Sequence, residues 1–79
     1  MRIICDGGRS FMVYEVLYAT WGGEIDNPSD WNLMFSTSMR EDVMIFGISK
    51  EKANKLIEEL YKTGCCDIRE YHITINPCY

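Results

Sequence analysis

Ser49-Lys50-Glu51-Lys52-Ala53-Asn54-Lys55-Leu56-Ile57-Glu58-Glu59-Leu60-Tyr61-Lys62-Thr63-Gly64 is the stretch that decides the fold class. Ala53, Leu56, Ile57, Leu60 and Tyr61 recur at i, i+3, i+4, i+7 and i+8, one apolar stripe at the helical period. Ser49 suits an N-cap, because its hydroxyl accepts a backbone N–H that the first turn leaves unpaired. Gly64 stands where a left-handed C-terminal cap belongs. Glu51–Lys55 and Glu58–Lys62 are i,i+4 pairs in the favoured order. The spacing predicts a helix over about 50–63. Its remaining surface, Lys52, Lys55, Glu59 and Lys62, has mixed sign and reads as a solvated face.

The sequence around this helix reads as strand. Val43 to Ile48 is apolar in both alternating sets, the pattern of a strand covered on both faces or central in its sheet. Asp67 to Ile75 alternates, with Tyr71, Ile73 and Ile75 on one face and Glu70, His72 and Thr74 on the other, so one face is wet. Pro77 ends it, having no N–H for the ladder. Toward the start, Ile3–Cys5 and Phe11–Tyr18 form a hairpin about Asp6-Gly7-Gly8. Residues 22–30 collect Gly, Asn, Pro, Ser and three acids and read as a loop. Trp31 to Phe35 fits a short strand or a helical turn capped by Ser29 or Asp30. The Ser36-Thr37-Ser38 that follows favours the strand.

The prediction is one compact α+β domain, 1–79, in the order ββββαβ. One helix packs on one face of a small, mainly antiparallel sheet of four or five strands. Strand 43–48, the helix and strand 67–75 have the order of a right-handed parallel βαβ unit.

At 79 residues the chain has room for one core. A net charge of −4 argues against direct binding to nucleic acid or an anionic membrane, which calls for a basic footprint. No apolar run approaches the roughly 20 residues that span a bilayer. The apolar patch Ile3–Cys5 is too short for a signal-peptide core. The expected location is the cytoplasm, with thiols reduced by default. Cys5, Cys65, Cys66 and Cys78 then read first as small buried hydrophobes. Disulfide pairing and a zinc site with His72 are the alternatives, although Cys65 and Cys66 are adjacent and point apart on a strand. No cofactor is expected.

Catalytic motifs are missing. His72 is the single histidine. Glu70 on the same strand face is its nearest candidate partner, and a surface histidine is the plainer reading. The Gly7-Gly8 and Gly22-Gly23 pairs read as turns, since no helix follows either one to make an anion site.

Charge is unevenly spread. Residues 10–42 carry Glu15, Glu24, Asp26, Asp30, Glu41 and Asp42 against Arg40, a net of −5, while residues 1–9 carry +1 and residues 43–79 balance. From Ser10 to Met39 there is no Lys or Arg. The same segment holds Trp21, Trp31, Met34 and Phe35. Trp is enriched at binding hot spots, and rim acids steer basic partners. The candidate partner-binding set is therefore Trp21, Glu24, Asp26, Asp30, Trp31, Glu41 and Asp42. The plainer alternative makes both Trp residues core anchors and the acids a solvated loop.

These features predict a non-enzymatic binding protein whose acidic, aromatic-bearing surface blocks a basic site on a partner. A groove built to hold nucleic acid is a natural target. In size and charge, though in no motif residue, the chain is similar to phage-encoded inhibitors of host defence such as anti-CRISPR proteins. That resemblance implies a nuclease complex as target and assigns no residue a role. The rival readings are a homo-oligomeric assembly protein, homodimer included, and a small thiol or zinc protein.

Overall fold

The computed structural model describes residues 1–38 and 40–77. The predicted helix is α1, Lys50–Thr63. Ser49 Oγ accepts the Lys52 N–H at 3.3 Å. Gly64 takes φ 78°, and its N–H donates to Leu60 O at 2.9 Å. Ala53, Leu56 and Leu60 are buried, whereas Tyr61 is exposed. At 3.6 residues per turn Tyr61 lies about 80° around the helix from Ala53, at the edge of the stripe.

Among the described residues six strands accompany it: β1 Arg2–Ile4, β2 Ser10–Thr20, β3 Trp31–Thr37, β4 Glu41–Ile45, β5 Cys65–Asp67 and β6 Ile73–Pro77. The α+β class is as predicted, and residues 31–37 are a strand. The strand count is corrected to six and the order to ββββαββ. The single strand expected over 67–75 is divided. Asp67 Oδ1 accepts the Arg69 N–H at 3.0 Å, and the Arg69 guanidinium grips the same carboxylate at 2.6 Å. This local turn breaks the extended backbone. The side-chain hydrogen bond from Arg69 holds the Asp67 carboxyl below its ordinary range.

The sheet order is β5-β1-β2-β3-β4-β6. All pairings are antiparallel except β1 with β5, where Ile3 faces Cys66. The expected parallel βαβ unit is not formed. β6 runs antiparallel to β4, and β5 crosses to the far edge.

This topology requires curl. Asp67 and Ile73 end and begin strands on opposite edges of the sheet. The chain between them reaches at most about 20–22 Å. Five flat strand spacings measure about 24 Å. β2 supplies the bend: residues 10–12 pair with β1, residues 13–20 pair with β3, and a bulge sits between Val13 and Glu15.

The bulge also switches which residues of β2 point inward, from Phe11 and Val13 to Val16 and Tyr18. The core lies between the inner sheet face and α1. It joins Ile3, Phe11, Leu33, Phe35, Val43 and Ile45 to Leu56 and Leu60. The strand expected over 43–48 is β4, which ends at Ile45 and lies between β3 and the edge strand β6, and only one of its faces is covered: Val43 and Ile45 are buried, Met44 is half-buried and Phe46 beyond it is exposed.

Among the described residues, no helix is long and apolar enough to cross a membrane.

Candidate functional site

Residues 21–30 connect β2 to β3 and, with Trp31 at the start of β3, form one end of the sheet. Asn27 Oδ1 accepts both the N–H and the hydroxyl of Ser29, at 3.1 and 2.8 Å. Pro28 then opens a short 3-10 turn, Pro28–Asp30. Asp30 Oδ2 accepts the Glu24 N–H at 2.9 Å. A Cβ on Gly23 would come within 2.5 Å of Asp30 Cβ, so the loop closes only because residue 23 is glycine. Trp31 Nε1 donates to Ile25 O at 2.7 Å. The loop is thus fastened by its own side chains.

Trp31 stacks on Tyr18 with ring centroids 4.8 Å apart and planes 22° from parallel. Tyr18 OH donates to Ile48 O at 3.2 Å, and burial raises the pKa of this phenol. Both polar tips are therefore spent inside the fold, and the rings offer only apolar surface. Together with Ile25 and Pro28 they line a concavity of about 470 Å³, with Asp26 and Lys50 also on its lining. Ile25 is 72% exposed there. A smaller concavity of about 310 Å³ lies across the Pro28–Asp30 turn, between Trp21, Asp30, Asn32 and Phe46.

The structure brings Trp21, Glu24, Asp26, Asp30 and Trp31 to this end, with the two Trp residues in different concavities. Asp30 is committed to the Glu24 backbone, and Trp31 is half-buried in the stack. Glu24 and Asp26 are exposed. Glu41 and Asp42 lie at the opposite end of the β3–β4 hairpin, about 20 Å away along β3. There Glu41 pairs with Arg9 at 3.7 Å, and Arg9 also sits 5.0 Å over the Phe11 ring. Asp42 stands opposite Ser36 and Asn76.

The sequence reading missed Tyr18, Ile25, Pro28 and Lys50 as lining residues. Tyr18 carried a faint signal, an aromatic closing a strand just before the loop. Lys50 carried none. A stretch of chain without cations is not a surface without cations, because the first turn of α1 delivers Lys50 to the cleft.

The remaining candidates lie elsewhere. His72 is exposed beside a shallow concavity of about 210 Å³ whose lining includes Ser49, Lys52 and Tyr71 but no acid. Cys5 and Cys66 are buried, Cys65 is half-buried, and Cys78 is outside the described residues. Burial, with smaller contributions from Glu59, Cys65 and Asp67, pushes the Cys66 thiol up to about 12, which makes it a poor nucleophile. Among the described residues no three His, Cys, Asp or Glu gather as a metal would require. Comparison of the chain with known protein families, curated proteins and solved structures finds no match.

Proposed function

We propose that the chain is a non-enzymatic binding protein that presents its 21–31 end to a basic site on a partner protein. The observation that supports this most is the union of two features. One is the 470 Å³ concavity floored by Tyr18 and Trp31, and the other is a pair of exposed carboxylates, Glu24 and Asp26, on the loop beside it. An aromatic floor with no unsatisfied polar group suits the aliphatic stem of an arginine or lysine, and a carboxylate at the rim suits its head. A loop fastened by its own bonds loses little entropy on binding. Lys50 gives the cleft rim mixed charge, so Glu24 supplies the purely acidic attraction. On a partner that handles nucleic acid, such carboxylates occupy the groove as phosphates do, the mode expected of the inhibitors this chain resembles in size and charge.

The test is capture from a lysate of the source cell by the immobilised chain, with elution by rising salt. The expected result is one dominant basic protein, captured by the natural chain and lost when Glu24→Lys and Asp26→Lys are combined, with the thermal midpoint unchanged. Asp30 is left in place because its carboxylate holds the loop. Equal capture by the double variant overturns the assignment of this surface.

A further inference from the structure

We infer that the outer face of β2–β3–β4 is covered by a second copy of this chain, sheet against sheet about a two-fold axis. Leu17, Met34 and Met44 point outward and stand directly opposite one another in the ladder. They make a continuous apolar row across three strands. On one side of the row lie Trp21 and Phe46, over the buried Asn32, whose Oδ1 accepts the Gly47 N–H at 3.1 Å. On the other side lies a polar row in register: Glu15, Ser36, Asp42 and Asn76. Tyr14, thrust out at the β2 bulge, flanks it.

The extent of this surface matches an interface. Tyr14 is 70% exposed, Phe46 51%, Trp21 45% and Leu17 40%. Scaled by exposure, these four side chains present on the order of 500 Å², already the size of the largest apolar patch on an ordinary monomer. A stable dimer buries about 800 Å² per partner. The half-buried Met34 and Met44 and the polar row bring the face to that range.

The charge pattern selects the orientation of the second copy. The rows just described carry acids and no cation. A two-fold axis along β3 would lay Glu15 of one copy over Asp42 of the other, like charge on like. An axis along the Leu17–Met34–Met44 row lays apolar on apolar and sends the Glu15–Asp42 row over the Asn32–Phe46 row. That second arrangement keeps acid away from acid, with strands antiparallel across the interface. Tyr18 and Trp31 point to the inner side of the sheet, so the 21–31 cleft stays open in the dimer. The inference stands independently of the proposed function.

Sedimentation velocity on the purified chain tests it. The mass is expected to rise from 9.2 kDa toward about 18 kDa between about 1 and 500 µM. Raising NaCl from about 0.05 to 0.5 M is expected to tighten the dimer, because salt screens the repulsion between two chains of net −4. The same salt loosens capture of a basic partner by the 21–31 end, so the two associations are told apart. Leu17→Asp with Phe46→Asp is expected to hold the chain monomeric with an unchanged circular dichroism spectrum, while Tyr61→Asp on the exposed side of α1 leaves the dimer intact. A natural chain still monomeric at about 500 µM overturns the inference, as does a folded double variant that still dimerises. If the double variant does not fold, Tyr14→Ser alone is expected to weaken the dimer at least about fivefold, and an unchanged dimer overturns the inference equally.

Discussion

Strands β2, β3 and β4 are apolar on both sides, and the two sides meet different fates. Inward, Leu33, Phe35 and Val43 are fully buried under α1. Outward, Leu17 and Phe46 are exposed and Met34 and Met44 half-buried. The residue types are similar, and what differs is cover. Among the described residues there is one α-helix, and a helix buries one face of a sheet. A strand's composition therefore tells how much apolar surface seeks burial, while the count of covering elements tells how much is left for something outside the monomer.

Truncation on each side of the sheet separates the two faces most clearly. Phe35→Ala is expected to cost about 3–5 kcal/mol by urea unfolding, from lost burial and the cavity left behind. Met34→Ala, its neighbour on the other face, is expected to cost less than about 1 kcal/mol at micromolar concentration, where the monomer prevails. Similar costs would mean that the outer face is already packed.

The adjacent thiols of β5 repeat the contrast, with Cys66 buried and Cys65 half-buried. The Cys66 thiol stays protonated to about 12 in the fold. An unfolded thiol ionises near about 8.5. The stability this difference provides is complete below about pH 8.5 and is lost as pH rises toward 12, at up to about 1.4 kcal/mol per pH unit. Urea titrations between about pH 8.5 and 10 are expected to show that decline, and Cys66→Ala to flatten it. A decline that persists in the alanine variant places its origin elsewhere.

Thr20 Oγ1, at the last residue of β2, is a buried hydroxyl without a hydrogen-bond partner. Replacing it with the isosteric Thr20→Val removes an uncompensated polar group, with an expected gain of about 1 kcal/mol. For a domain of this size that raises the thermal midpoint by about 4–8 °C. A loss of stability would reveal a partner for the hydroxyl. The smallest effect is expected outside: Phe46→Ser shifts monomer stability by less than about 0.5 kcal/mol while weakening self-association.

What could be read from the sequence was local. Ser49, the Ala53–Leu60 stripe and Gly64 define α1 because caps and period act within a few residues. The alternation Tyr71, Ile73, Ile75 marks an inward face because a pleat repeats every second residue. The division of strand 67–75 is also local, an Asp67–Arg69 side-chain turn, but the alternation over 71–75 reads as strand and carries no sign of it. The crossing of β5 to pair with β1 has no local cause. It follows from curl, which depends on the β2 bulge and on the whole sheet. The candidate site divides the same way. Trp21 through Trp31 come together because one short loop holds them, whereas Glu41 and Asp42 are separated from them by the full length of β3. Lys50 enters the cleft from a different element altogether.

Hydrogen exchange of the backbone amides, measured on the chain alone and bound to the basic protein it captures, shows which surface receives the partner. New protection is expected to concentrate in residues 22–31, and to be lost with Glu24→Lys and Asp26→Lys. Protection confined to β3 and β4, with residues 22–31 unchanged, would contradict it and transfer partner recognition to the outer face of the sheet.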